Sequence, residues 1–234
     1  DVSSVATSRA SVALIRNRQG GRTDGGYTRV FGDPQLGSLI SRVHGTSIAA
    51  GNELEKLIIE RSNIIEDVDG FLQQDIYPEG AFVATKAAIK KCKTIDAVSA
   101  EPDFVVFWRR GKQQNCYVIE LKDGDAFDTK KAAGERESMH RFVNVIAPVV
   151  RFTITVHFCC FNQDDRQAVI DGFKRKITLE EAMTGREFCT LLNIDYDEIV
   201  NFRHKHQIVN LRDFISDILH MKSTREEIER QLGG

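Results

Sequence analysis

Apolar residues recur at helical spacing along residues 48–67, where Leu54, Leu57 and Ile58 fall on one side of a helix. Residues 80–93 also predict a helix, with a stripe of lysines along one face and no acid among them. Such a stripe suits the phosphate backbone of a nucleic acid, although a solvated helix face is the more usual explanation.

Two compact β-rich runs follow at residues 104–108 and 116–122, and the polar turn between them predicts a β-hairpin. Residues 132–148 predict a helix, and the β-branched and aromatic residues of 149–161 predict a long strand. The remainder of the chain is mostly helical in pattern. This order predicts an α/β fold in which a mixed central β-sheet is flanked by helices and followed by C-terminal helices.

The chain of 234 residues is long enough to bury a substantial core, and it is 41% hydrophobic and 28% charged. No stretch approaches the roughly 18 apolar residues that a transmembrane helix needs. We predict a single domain over residues 37–234, with its core at about residues 50–160 and a helical C-terminal extension. The net charge of −2 does not favour nucleic-acid binding by itself, so any such binding depends on local patches.

Residues 1–36 are rich in serine, glycine and arginine, and five arginines against two aspartates give residues 1–30 a charge of +3. Two glycine pairs interrupt any long helix in this segment. We predict a short helix around residues 12–16, followed by a flexible basic arm. An arm that contacts a nucleic acid and a solvated linker explain this composition equally well.

The five cysteines are an odd number, and no pair of them has the spacing of metal ligands. Cys159 and Cys160 are adjacent, so on a strand they would point to opposite faces. We therefore predict reduced, buried thiols rather than disulfides or a zinc site.

The second β-rich run carries the most informative pattern in the chain. Because side chains alternate along a strand, Glu120 and Lys122 share one face, while Leu121 lies on the opposite, apolar face. A carboxylate and an amine are thereby placed together at the end of a buried strand. Buried charge is unfavourable unless it is paired or binds a metal, so this pattern indicates a functional site.

Asp103 immediately precedes the first β-rich run, at the open end of the predicted hairpin. It can therefore approach Glu120 and Lys122 across the two strands. Two carboxylates a few ångströms apart repel one another, and a divalent cation such as Mg²⁺, Mn²⁺ or Ca²⁺ relieves that repulsion. The alternative explanation is a turn aspartate beside a surface Glu–Lys pair.

Pro102-Asp103 followed by Glu120-Leu121-Lys122 resembles the motif of the PD-(D/E)XK nuclease superfamily, and more narrowly of its type II restriction endonucleases. The resemblance covers about residues 50–160. It implies a core of one helix, a three-stranded antiparallel meander, a second helix and a further strand. It also implies Mg²⁺-dependent, sequence-specific cleavage of double-stranded DNA by phosphodiester hydrolysis.

The resemblance further implies a role for each residue of the motif. Asp103 and Glu120 would hold Mg²⁺, with the backbone carbonyl of Leu121 as a possible additional ligand. Lys122 would orient or help to deprotonate the attacking water and stabilise the charge that develops at phosphorus. The family often adds a glutamate from an upstream helix, for which Glu55 is our choice and Glu53 the alternative. The predicted DNA-binding residues are Lys86, Lys90, Lys130 and Lys131.

The implied partners are double-stranded DNA and a second copy of the chain, because a twofold protein matches a palindromic site and cuts each strand once. No membrane is expected, and such an enzyme would act in the cytoplasm of a bacterial or archaeal cell. Two other functions stay open from the sequence. One is a DNA repair or structure-specific nuclease with the same core, and the other is a non-catalytic DNA-binding module.

Overall fold

A computed structural model describes residues 25–95, 101–124 and 127–233, with residues 47–48 as backbone only. The described helices are α1 (Gly26–Phe31), α2 (Pro34–Arg61), α3 (Val68–Leu72), α4 (Lys86–Lys91), α5 (Thr129–Ile146), α6 (Arg166–Gly172), α7 (Gly185–Leu192), α8 (Tyr196–His220) and α9 (Lys222–Leu232). The described strands are β1 (Gly80–Thr85), β2 (Phe104–Arg110), β3 (Gln113–Lys122), β4 (Thr153–Cys160) and β5 (Ala182–Thr184).

The five described strands form one mixed sheet in the order β1-β2-β3-β4-β5. The first three strands are an antiparallel meander, and β4 and β5 then add in parallel to β3. Gly111 opens the two-residue turn between β2 and β3 with a φ of +59°, a conformation that glycine adopts without strain. The predicted fold class is confirmed, and so is the order of helix, meander, helix and strand that the family resemblance implies.

Helices cover both faces of this sheet. On one face the core is built from strand residues and the apolar stripe of α5, namely Val105, Phe107, Cys116, Val118, Phe158, Ala132, Met139, Phe142 and Ile146. On the other face α7 packs against the sheet, with the rings of Phe188 and Phe104 5.9 Å apart between centroids. Full burial of each such large apolar side chain contributes about 1.5–3 kcal/mol, so the two layers hold the sheet rigidly in place.

The described residues form two compact units. The sheet unit is Leu57–Tyr196, and the helical unit combines the described residues of Asp1–Lys56 with those of Asp197–Gly234. Residues 1–24 of the predicted basic arm, including the predicted helix at 12–16, lie outside the described residues, while α1 occupies part of its remainder. The assignment of residues 37–234 to one domain stays a prediction.

The prediction of a helix over residues 80–93 is wrong in its first half. Gly80–Thr85 is strand β1, which pairs along its whole length with β2. The aromatic and β-branched side chains of Phe82 and Val83 suit a strand, and pairing with a central strand outweighs the helix propensity of the alanines beside them. The helix begins only at Lys86, where the hydroxyl of Thr85 accepts a hydrogen bond from the Ala88 N–H at 3.3 Å.

The predicted helix over residues 48–67 also has different bounds. It begins upstream at Pro34 and ends at Arg61, and Asp67 instead caps the short helix α3 by accepting from the Gly70 N–H at 3.0 Å. The hairpin and the helix after it are confirmed, and the long strand is confirmed in the shorter range Thr153–Cys160. All five cysteines are buried and free, as predicted. Within the described residues, no helix combines the length and the apolar composition that crossing a bilayer requires.

Candidate active site

The open end of the β2–β3 hairpin brings Asp103, Glu120 and Lys122 together. Phe104 pairs with Ile119, so Asp103 lies opposite Glu120 on the same face of the sheet. The carboxylate of Asp103 accepts a hydrogen bond from the Leu121 N–H at 2.9 Å. The predicted approach of the two acids and the lysine is therefore present in the fold.

Glu120 and Lys122 are neighbours on one strand face, with Oε1 and Nζ 2.5 Å apart. Their side chains are only 12% and 18% exposed. Burial, and after it the negative charge of Asp103, raises the pKa of Glu120 to about 7, against the opposing effect of Lys122. The site therefore holds more negative charge than its single buried ammonium neutralises.

The pKa of Asp103 is also raised, chiefly by burial. The hydrogen bond from Leu121 and the positive charge of Lys122 oppose that rise without cancelling it. Burial alone would lower the pKa of Lys122, but the negative charge of Glu120, followed by the carboxylates of Glu135 and Asp103, raises it. Lys122 is consequently an ammonium at neutral pH, and both acids gain from any further cation.

The oxygen atoms at this position fit a small, hard cation. The carboxylates of Asp103 and Glu120 are incompletely compensated, and carboxylate and carbonyl oxygens are the ligands that Mg²⁺ prefers. The N–H and C=O of a strand residue point to the same edge, so the carbonyl of Leu121 faces the side of Asp103, to which its N–H donates. Among the described residues no group of three or more acidic, histidine or cysteine side chains is arranged to hold a metal, so these donors would need water or substrate oxygens to complete a coordination shell.

Sequence reasoning missed Glu135, which lies on α5 with its Oε1 3.1 Å from Nζ of Lys122. A signal for it was present in the chain. Glu135 falls on the same helical stripe as the buried residues Ala132, Met139 and Phe142. A charged residue on the core-facing stripe of an amphipathic helix indicates that the helix meets a polar site there.

The two candidates for the upstream acid lie on α2, within the helical unit. Glu53 is buried, and its Oε1 is 3.4 Å from Nδ1 of the buried His206 on α8. Glu55 is half-buried. Neither Oε1 of Glu53 nor Nδ1 of His206 has a hydrogen-bond partner among the described residues. The choice of Glu55 over Glu53 stays a prediction.

Of the four predicted DNA-binding lysines, Lys86 is linked most directly to the site. Its backbone N–H donates to the carbonyl of Asp103 at 3.2 Å, and its positive charge acts to lower the pKa of that residue. Lys90 forms an ion pair with Glu101 at 3.1 Å. Lys130 and Lys131 are exposed in the first turn of α5. Contact with DNA stays a prediction for all four lysines.

The chain is similar to a restriction enzyme over nearly its whole length. It is 39% identical over 218 residues to the type II restriction enzyme HhaII of Haemophilus parahaemolyticus, an alignment that covers 90% of this chain and 96% of HhaII. No protein-family model matches the chain. No solved structure matches it either.

Proposed function

This chain belongs to the type II restriction endonucleases, and we propose that it hydrolyses both strands of double-stranded DNA at a specific sequence, with Mg²⁺ as its cofactor and a PD-(D/E)XK site as its catalytic centre. The observation that carries this proposal is the meeting of Asp103, Glu120 and Lys122 at the open end of the hairpin. Family membership favours restriction over a repair nuclease or a non-catalytic DNA-binding module. A restriction enzyme acts on DNA in the cytoplasm of a bacterial or archaeal cell, which is the location we propose.

Asp103, Glu120 and the carbonyl of Leu121 are the residues that would hold Mg²⁺. Two undercompensated carboxylates in a mostly buried position support this assignment. When bound, Mg²⁺ supplies Lewis acidity toward the scissile phosphate and the attacking water. The chain itself orients these groups, because the β2–β3 pairing and the core beneath it determine where the two carboxylates lie.

Lys122 acts in this proposal as a hydrogen-bond donor and electrostatic stabiliser. Its raised pKa keeps it charged at neutral pH, which suits stabilisation of negative charge on a pentavalent phosphorus better than proton abstraction. Lys86, Lys130 and Lys131 are exposed and would contact DNA phosphates, where each cation contributes through the release of counterions. Lys90 would have to leave its ion pair with Glu101 to do the same.

We further propose that the enzyme is a homodimer, and the exposed side of α8 supports this. Five large apolar residues, each at least 37% exposed, recur along it at near-helical spacing: Val200, Ile208, Leu211, Ile215 and Leu219. The four residues from Ile208 to Leu219 follow one another along the helix, and exposed apolar residues grouped in this way mark an interaction surface. A second copy carries the same stripe and can cover it by twofold contact, which also matches a palindromic DNA site.

The dimer proposal is tested by changing the centre of this stripe. Leu211→Arg places a charge where the two copies would meet, so sedimentation should show a monomer. Leu232→Arg is the matched control, since Leu232 is 83% exposed on α9 and should leave the assembly unchanged. A wild-type protein that sediments as a monomer at micromolar concentration would contradict the proposal.

The catalytic proposal is tested by digestion of plasmid DNA with and without Mg²⁺. Discrete fragments in Mg²⁺, and none in EDTA, are the expected result, and mapping the fragment ends then identifies the recognised sequence. Ca²⁺ should permit DNA binding without cleavage. A Lys122→Ala variant that retains the full Mg²⁺-dependent rate would show that the site has been assigned to the wrong residues.

A further inference from the structure

One carboxylate beside the site has no part in the mechanism above. Oε1 of Glu135 lies 3.1 Å from Nζ of Lys122, while its Oε2 is buried and has no hydrogen-bond partner among the described residues. A buried acceptor without a partner is unfavourable. The ion pair with Lys122 is therefore the contact that accounts for a glutamate at this position.

The backbone of α5 holds Glu135 firmly in place. Met139 and Phe142, one and two turns further along the helix, are buried in the core of the sheet unit. Glu135 extends from the same stripe toward the end of β3, so its carboxylate meets the lysine rather than solvent. A rigid helix is a better support for such a contact than a loop.

Lys122 is shared between two carboxylates, at 2.5 Å from Glu120 and 3.1 Å from Glu135. We propose that Glu135 is a positioning residue, which keeps the ammonium of Lys122 at the reaction centre once Glu120 turns its oxygens to the cation. The lysine side chain is long and flexible, so without a second anchor it would leave the site when its contact with Glu120 weakens. This inference rests on the proposed function, in which Glu120 is a metal ligand and Lys122 acts on the phosphate.

The first test uses Glu135→Gln, which preserves the shape of the side chain and removes its charge. Single-turnover cleavage in Mg²⁺ should slow by about 10- to 100-fold, as for other residues that orient a catalytic group. The dissociation constant for DNA in Ca²⁺ should stay within about twofold, because Glu135 acts on the reacting lysine rather than on binding. Glu137→Gln is the matched control, since Glu137 lies on the same helix, is 72% exposed and pairs with Arg141 at 2.8 Å.

A double-mutant cycle separates positioning from a general structural effect. In a Lys122→Ala background, Glu135→Gln should slow cleavage by no more than about twofold further, because the residue it acts through is gone. An equal loss in both backgrounds would overturn the inference and point to a role that does not pass through Lys122. Glu135→Asp retracts the carboxylate by one methylene, so its cleavage rate should fall between those of wild type and Glu135→Gln. This variant replaces Glu135→Gln in the test if the glutamine variant folds poorly.

A readout without catalysis completes the test. In the Ca²⁺ complex with DNA, Lys122 should react faster with an amine-acetylating reagent in Glu135→Gln than in wild type. Removal of the Glu135 charge releases the side chain and favours the neutral amine, which is the form that the reagent acetylates. Unchanged acetylation together with a wild-type cleavage rate would overturn the positioning role and leave the proposed function intact. By contrast, a wild-type rate in Lys122→Ala alone would remove the proposed site itself.

Discussion

Two glutamates of the sheet unit are almost equally buried, yet their acidities move in opposite directions. The side chain of Glu120 is 12% exposed and that of Glu181 is 10% exposed. The pKa of Glu120 is raised to about 7, whereas the pKa of Glu181 is lowered. Burial raises the pKa of both, so the difference lies in the groups around them.

Glu181 is surrounded by donors. Nε of Arg136 reaches its two oxygens at 3.1 and 2.9 Å, Nε2 of His140 lies at 2.6 Å, and the N–H of Thr178 donates at 2.8 Å. These contacts outweigh burial and join α5 to the turn before β5. Glu120 instead has one ammonium, that of Lys122, and two further carboxylates, those of Asp103 and Glu135. The comparison teaches that burial alone does not set the pKa of an acid, because surrounding donors lower it at Glu181 and neighbouring carboxylates raise it at Glu120.

The largest expected difference between the two glutamates is in catalysis. Glu120→Gln should slow Mg²⁺-dependent cleavage by about 1000-fold, because it removes a metal ligand and charge at the reaction centre. The cleavage rate of Glu181→Gln should stay within about threefold of the wild-type rate below the unfolding temperature of the variant, since Glu181 makes only structural contacts. Single-turnover rates on one plasmid substrate measure both. Comparable losses of cleavage rate in the two variants would contradict the proposed difference between Glu120 and Glu181.

The two glutamates should also have opposite effects on stability as pH changes in cation-free protein. The pKa of Glu120 rises on folding from 4.5 to about 7, so its contribution is fully present below pH 4.5 and is lost as pH rises through 7. The pKa of Glu181 is lowered, so its contribution is present above pH 4.5 and is lost as pH falls. In wild type the free energy of unfolding should therefore decline between pH 4.5 and 7, and Glu120→Gln should reduce that decline by about 2–3 kcal/mol. Urea unfolding in EDTA at several pH values across this range measures the free energy of unfolding of both proteins. The same pH dependence in wild type and in Glu120→Gln would contradict the assignment of the raised pKa to Glu120.

At neutral pH Glu181 should contribute more to the free energy of unfolding than Glu120. Glu181→Gln should lower the free energy of unfolding by about 1–2 kcal/mol, a value reduced because Arg136 and His140 are partly exposed. Glu137→Gln is an exposed control and should change it by less than about 0.5 kcal/mol. Glu120→Gln should not destabilise cation-free protein. Denaturant unfolding at pH 7.5 compares all three, and a Glu120→Gln protein less stable than Glu181→Gln would reverse our interpretation.

The smallest expected effect is stabilisation by the cation itself. Ca²⁺ at ten times its dissociation constant should stabilise wild type by about 1.4 kcal/mol. Glu181→Gln should keep this gain, while Asp103→Asn and Glu120→Gln should lose it. Thermal unfolding with and without Ca²⁺ measures the shift. Equal stabilisation of all four proteins would mean that the cation binds elsewhere.

The hairpin and its site were predictable because the evidence was local. Alternation along residues 116–122 placed Glu120 and Lys122 on one face, and the short polar turn brought Asp103 back to them. Strand β1 was not predictable in the same way, since its alanines and the lysines after it favour a helix. Gly80–Thr85 is extended because it pairs with β2 along its length and because Val83 also bridges Ile64. Glu135 is 13 residues beyond Lys122, and its contact depends on how α5 packs.

The sequence by itself predicted the α/β class and the grouping of Asp103, Glu120 and Lys122 at the open end of a hairpin, because strand alternation and helical spacing are properties of neighbouring residues. Only the tertiary structure decided that Glu120 is undercompensated while Glu181 is satisfied, and that Lys122 has a second carboxylate on α5. The charge of a buried acid depends on donors that residues distant in the chain bring to it. No local pattern can express those distances, and they follow from the packing of α5 against the sheet.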